Sequence, residues 1–449
     1  MARPWLSWRL HTLLSMLRVR RSHRARLQWV LFLLALARAW RFLVRRWLQP
    51  LHLRNAAEAP RLFYKPTPTN DALLARCPTL TTTKYCPPWH GVSGHLQTIR
   101  LAQEMDTAHP IVRYERQILD MPDGGIVSLD WALPPRQDGT IPRVSELDPT
   151  RRTLLLLPGF TGGSDEFYIR CVVHRLVALG WQCGVLNARG CANTPLKTAQ
   201  FFCIAYTDDV RYVLRTLRQR YALGEHDAFV VAGFSLGANV LVKFLGEERD
   251  AARGLVTAAV SVGNPFDVAE CSRALSTSPL HRVTYYAALA RNLKELIFQK
   301  SNAAELLARH PKLDLDAIRR ASDLYELDDK LTRVLFGYDS VDAFYEDASS
   351  ASRLPHVRVP LLCLNAEDDP ISVKTAIPYA APQENPHVLL CTTKHGGHLA
   401  YYEHAEEEED QQHGDGGDPS GRIWSVKAIA EFVESVRKER ERLAQAEAF

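Results

Sequence analysis

In GFSLG, residues 233–237, a lone serine, Ser235, stands between two glycines directly after the apolar run AFVVA. A serine hydroxyl is a poor nucleophile at neutral pH, so chemistry there requires a base within hydrogen-bond reach and an acid to orient that base. Two glycines suit a sharp strand-to-helix turn on which the central side chain is held clear of the backbone, although an ordinary turn would carry the same pattern. One known arrangement of a serine on such a turn places its partners in the chain order serine, acid, histidine. Both partners stand at the ends of later apolar runs, VPLLCLNA leading into EDDP and HVLLCTT into KHGGHLAYYE. A chance G-x-S-x-G has no reason to be followed by these groups in this order.

Two choices lie inside this constellation. Asp368 and Asp369 are neighbours whose side chains point different ways. In the known arrangement that has this chain order the acid commonly stands three residues after the small residue that ends the strand, and the count from Ala366 reaches Asp369, with Pro370 next. His395 and His398 flank a glycine pair; the histidine after the pair, His398, is expected to be the base, with His395 a loop residue at the pocket edge. The tetrahedral oxyanion needs fixed donors. The backbone N–H of Leu236, at the start of a helix, supplies one, and that of Phe160, in the glycine-rich loop LLPGFTGGSDE, the other. No metal and no cofactor is required.

These residues must be carried by a sheet. Apolar runs alternate with helix-period segments from TLLLLPGF onward, through WQCGVLNAR, AFVVAGF, LVTAAVSVGNP and VPLLCLNAEDD, to the closing helix in WSVKAIAEFVESVRKERERLAQ. Near-continuous apolar strands between helices indicate an α/β fold, a mostly parallel central sheet covered on both faces. Before it, YERQILDM and GIVSLDWAL around PDGG read as an antiparallel hairpin. Residues from Ala56 to about Arg100 read as a wrapping arm with little regular structure. The stretch of about 271–353 has no strand-like run and reads as a helical lid over the carboxyl edge of the sheet, where such folds bind ligands. The run at about 404–421, EEEEDQQHGDGGDPSG at its centre, reads as a solvated acidic surface insertion. It contains His413 and Asp418, whose spacing is taken as coincidence.

Across the 449 residues, 46% apolar and 24% charged content are those of a globular protein. Of 55 basic residues, twelve are arginines within residues 1–57, which contain no acid, so the remainder is net acidic and gives no reason to invoke nucleic acid. Nine cysteines, without C-x-x-C spacing, read as free buried thiols rather than zinc ligands or a disulfide framework. The chain therefore divides into a basic segment, 1–55, and a domain, 56–449. In RLQWVLFLLALARAWRFLVRRWLQP the arginines interrupt the apolar run. The segment is expected to associate with membrane, as a spanning helix or as an arginine-faced helix lying on anionic lipid, with a cleaved mitochondrial leader as the alternative.

Between Tyr64 and Phe432 the sequence resembles the AB hydrolase superfamily, type 4 family. That family includes plant embryogenesis-associated proteins, yeast ethanol acyltransferase/esterases and animal membrane-anchored lipid hydrolases. The resemblance rests on YCPPWHGVSGHLQTI, MPDGGIVSLDW, LLPGFTGGS, LNARGCANTPL, YTDDVRYV, GFSLGANVLVKFLGE, GNPFD, LNAEDDP and GGHLAYYE followed by WS. It implies an α/β-hydrolase fold, a charge relay of Ser235, Asp369 and His398, and an N-terminal membrane segment, from which this chain departs in arginine content and in the acidic insertion. The expected activity is that of a serine esterase or lipase acting on hydrophobic or lipid esters. Acyl transfer to an alcohol is the alternative within enzymes, and a lipid-binding or scaffold protein on the same fold the alternative outside them.

Overall fold

The computed structural model describes residues 56–89, 91–104, 110–136, 138–404 and 419–447, together with Trp29, Phe32, Leu33, Ala35, Leu36, Arg38 and Ala39. Most of the basic segment 1–55, and residues 405–418 with His413 and Asp418, lie outside the described residues. Residues 1–57 form one unit, whose described positions from Trp29 to Ala39 are helical. Among the described residues no helix is long and apolar enough to cross a membrane.

The second unit, 58–449, is built on a nine-stranded sheet. Its strands are β1 (Arg61–Tyr64), β2 (Glu115–Asp120), β3 (Ile126–Ala132), β4 (Thr153–Leu157), β5 (Gln182–Asn187), β6 (Phe229–Phe234), β7 (Ala258–Val262), β8 (Leu361–Ala366) and β9 (Val388–Thr393). They lie in the order β1-β9-β8-β7-β6-β4-β5-β3-β2. The six from β4 to β9 are parallel, while the β2–β3 hairpin and β1 close the edges in antiparallel pairing. Every residue of β4 to β9 is buried, because helices cover both faces, and this makes the runs continuous rather than alternating. Five helices bear most on the site or the sheet: α1 (Gly94–Glu104), α2 (Phe167–Ala178), α3 (Asp208–Tyr221), α4 (Leu236–Glu248) and α5 (Trp424–Glu447). Leu154, Leu156 and Val230 pack with α2 and α5 through Ile169, Trp424 and Phe432, whereas Leu155 and Val231 pack on the other face with Leu214, Leu241 and Phe244. Parallel pairing brings the carboxyl ends of β4, β6, β8 and β9 to one edge, so the residues that follow each strand meet there.

The arm expected to be irregular is more ordered than that. It contains β1, paired to β9, a helix at Pro68–Leu74, a turn of helix at Pro78–Thr81, and α1. Two of its prolines open helices instead of breaking them: Pro68 and Pro78 occupy first turns, and the Thr67 hydroxyl caps the N–H of Asn70 at 3.2 Å. Between β7 and β8 the chain, from Val268 to His356, is helices and turns without a strand. All nine cysteines are buried free thiols.

Candidate active site

Ser235 sits between the last residue of β6 and the first of α4, with φ of +53° and ψ of −115°, a conformation non-glycine residues rarely adopt. Its flanking glycines are required by space. A Cβ on Gly233 would lie 2.4 Å from the Gly237 carbonyl oxygen, and one on Gly237 would lie 2.3 Å from that of Leu157 and 2.5 Å from that of Pro158. Helix, strand β6 and the loop after β4 thus approach as closely as bare backbone allows. The strained turn is held by the Ser235 N–H donating to the Val262 carbonyl at 2.9 Å.

The other two groups arrive from β8 and β9. Ser235 Oγ lies 2.9 Å from His398 Nε2, and His398 Nδ1 lies 2.8 Å from Asp369 Oδ2. The neutral imidazole that fits both contacts donates from Nδ1 to the carboxylate and accepts at Nε2 from the serine hydroxyl. Asp369 is fully buried at its side chain, and its second oxygen, Oδ1, accepts the N–H of Ile371 at 2.7 Å and of Ser372 at 2.9 Å. The neighbouring acid goes elsewhere: Asp368 Oδ1 accepts the N–H of Gly397 at 2.9 Å, and Oδ2 meets His395 Nδ1 at 3.2 Å. Two aspartates adjacent in sequence therefore serve two histidines, and Asp369 is the one joined to Ser235.

Phe160 and Leu236 line one cavity with Ser235. Gly159 donates its N–H to Tyr168 Oη at 2.9 Å, which fixes the loop just before Phe160. Leu236 opens α4, where the first N–H groups have no partner within the helix and the helix dipole favours negative charge. The cavity, about 910 Å³ including its mouth, is walled largely by Phe, Leu, Val and Ile side chains, many from the helical segment between β7 and β8.

Positioning groups beyond these were not singled out by sequence reasoning. The Thr98 hydroxyl, on α1, accepts the N–H of His398 at 2.9 Å and so fixes the loop that carries the imidazole. The Asn187 carboxamide, at the end of β5, accepts the N–H of Ser164 at 2.9 Å and donates to Asp130 at 2.8 Å, while Arg116 grips Asp130 through two bonds of 2.7 Å. This network anchors the glycine-rich loop of Phe160. Thr98, Asp130 and Asn187 all fall within stretches quoted above for the family resemblance, which was the available signal. No cluster of acids, histidines or cysteines among the described residues is arranged to hold a metal ion.

Residues 152–405 match a family model described as the alpha/beta hydrolase fold. The chain is 34% identical over 329 residues to the embryogenesis-associated protein EMB8 of Picea glauca, covering 73% of this chain and 68% of that one. It is 33% identical over 355 residues to the phospholipase ABHD3 of Homo sapiens, covering 78% and 81%. With the monoacylglycerol lipase of Saccharomyces cerevisiae it shares 30% identity over 372 residues, covering 76% and 78%.

Proposed function

Because the chain belongs to the alpha/beta hydrolase fold family, we propose that it hydrolyses carboxylic esters of lipids through an acyl-enzyme formed on Ser235. The observation that carries this reading is the continuous hydrogen-bonded path from Ser235 through His398 to the buried Asp369, opening on an apolar cavity. The names of two relatives, a phospholipase and a monoacylglycerol lipase, support lipid esters as the substrate class.

In this mechanism His398 Nε2 removes the hydroxyl proton as Ser235 Oγ attacks the ester carbonyl. Asp369 stabilises the imidazolium that forms. The oxyanion is held by the N–H groups of Leu236 and Phe160, and as it collapses the C–O bond to the alcohol breaks, the leaving alkoxide taking the proton from His398. Water then attacks the acyl-enzyme, giving its proton to the same nitrogen, and the acid departs as Ser235 recovers its hydrogen. The helices at about 271–353 act as the lid that shields the acyl chain. The arginine-rich segment 1–55 holds the domain, 56–449, at a membrane surface where such esters concentrate; high salt should release it if it lies on anionic lipid and leave it bound if it spans.

A fluorophosphonate tests the nucleophile. It should label the chain at Ser235, and Ser235→Ala should lose both the label and ester hydrolysis while unfolding at the native temperature. A mutant still labelled and still active would place the nucleophile elsewhere.

A further inference from the structure

The cavity wall that receives the acyl chain is interrupted by a carboxyl group. Asp328, from the helical segment between β7 and β8, is 7% exposed and lines the same cavity as Ser235. Its Oδ2 accepts from the Tyr345 hydroxyl at 2.8 Å, and the Thr332 side chain lies beside it on the same wall. Nearby on the wall, Tyr286 Oη and Ser272 Oγ pair at 3.2 Å. Among the described residues no ion pair reaches Asp328: Lys330 is held by Glu326 and Arg333 by Asp329. Burial pushes the Asp328 carboxyl up to about 6, against the pull of the Thr332 and Tyr345 hydroxyls, which favour the ionised form.

A buried carboxylate offers about four acceptor positions, and the two hydroxyls beside it leave some unfilled. A saturated chain packed against it would leave them so, at the cost of burying an unpaired acceptor. We propose that Asp328 is a specificity anchor inside the cavity, selecting esters that bring a free hydroxyl group to it. The inference rests on the ester-hydrolase reading above. The chemistry is that of a neutral donor. Among the described residues no Lys, Arg or His lines the cavity, so a phosphate would meet a negative charge with nothing to balance it, and a zwitterionic phosphodiester headgroup would bring that phosphate in behind its cation. The hydroxyl can belong to the alcohol part of the ester, as in a monoacylated polyol, or to the acyl chain.

The test compares the full chain with its Asp328→Ala and Asp328→Asn variants on matched pairs of esters. One pair is a 1-monoacylglycerol and the methyl ester of the same acid; the other is a hydroxy-acyl methyl ester and its unsubstituted counterpart. The quantity read is the ratio of kcat/KM within each pair, so a general loss of activity or of folded enzyme cancels. The native chain should favour the hydroxylated member of at least one pair, and Asp328→Ala should lower that ratio about tenfold or more, the scale of a hydrogen bond to a charged group, with Asp328→Asn between. The pair that responds identifies the source of the hydroxyl. Ratios that are the same in all three proteins overturn the proposal. If the native chain hydrolyses no ester, the hydrolase reading fails, and calorimetry with non-hydrolysable alkyl ethers carrying or lacking the hydroxyl decides the anchor separately. Binding about tenfold tighter for the hydroxylated ether, lost in Asp328→Ala, supports it, and equal binding of the two ethers overturns it.

Discussion

Replacing Asp369 by asparagine changes almost nothing in shape and should nearly abolish turnover. Asp369 Oδ1 accepts two backbone N–H groups, from Ile371 at 2.7 Å and Ser372 at 2.9 Å, while Oδ2 faces His398 Nδ1 at 2.8 Å. An asparagine must keep its carbonyl oxygen on the two N–H donors, since its NH2 turned that way would set donors against donors. The NH2 is thereby aimed at His398 Nδ1, which must become an acceptor. The imidazole proton then sits on Nε2, and the group 2.9 Å from Ser235 Oγ can no longer accept its proton. A triad with this wrong tautomer loses about ten-thousandfold in kcat, roughly 5 kcal/mol of transition-state stabilisation. Asp368→Asn is the control: that carboxylate reaches Gly397 and His395 and contacts neither Ser235 nor His398, so turnover should fall less than about tenfold. The assay is kcat on a short p-nitrophenyl ester, with the labelling rate of Ser235 as a second readout and circular dichroism to establish folding. A more damaging Asp368→Asn, or an Asp369→Asn enzyme within tenfold of the native rate, would refute the assignment and the hydrogen-bond argument behind it.

Thr98→Val removes the acceptor of the His398 N–H while keeping the side-chain volume; the loop should loosen at a cost of about 1–3 kcal/mol, and kcat/KM should fall about tenfold, with KM little changed. Gly237→Ala places a methyl group 2.3 Å from the Leu157 carbonyl oxygen, so calorimetric unfolding should show a loss of about 1–3 kcal/mol, and Ser235 labelling should slow as the loop after β4 is pushed away. Burial, with Asp165 beside it, pushes the Glu166 carboxyl up to about 8 against the opposing pull of Arg170 and Lys300. A folded-state pKa raised above the unfolded one contributes stability that is complete below the unfolded value, 4.5, and lost as pH rises through about 8. Glu166→Gln, which fixes the uncharged form, should therefore flatten the decline of Tm with pH over that window and unfold at a higher temperature than the native chain at pH 8; an unchanged slope would show that the carboxyl is ionised in the folded state.

What was legible in the sequence is what the parallel sheet makes periodic. TLLLL, FVVAGF and LLCLNA are buried on both faces, so their apolar runs are unbroken and the residues that end them can be counted. Groups that act through single side chains across long separations leave no such trace. Thr98 meets the His398 backbone across 300 positions, and the buried Arg189 gathers Asp209 at 2.7 Å and the exposed Asp123 at 2.6 Å, tying the hairpin turn to α3. The stretches PDGG, LNARG and YTDD meet in this one ion cluster, while Asn187 of LNARG also holds the loop of Phe160. The order in the arm was hidden differently, because proline marks the first turn of a helix and the interruption of one with the same letter.

The choice between Asp368 and Asp369 shows why a count along the chain can settle a side chain's direction. Ala366 is the last residue of β8, registered opposite Thr393 of β9, so its position is fixed by the sheet. From there the chain turns, and the N–H of Asp369 returns to the Ala366 carbonyl at 3.3 Å. Within such a turn, consecutive side chains leave in different directions. Asp368 is sent toward the loop of His395 and Gly397, and Asp369 toward the imidazole of His398. Both histidines descend from the end of β9, the strand beside β8, so the spacing between the two aspartates and that between the two histidines are matched through the register of one strand pair. Inserting a single residue between Ala366 and Asp368 should shift the count by one, placing Asp368 where Asp369 now stands but with Pro370, which has no N–H, at the position from which Ile371 now donates. Such an insertion should lower Tm and turnover, but turnover by less than Asp369→Asn does, because a carboxylate still faces His398, whereas an insertion in the acidic run at 405–418 should change neither.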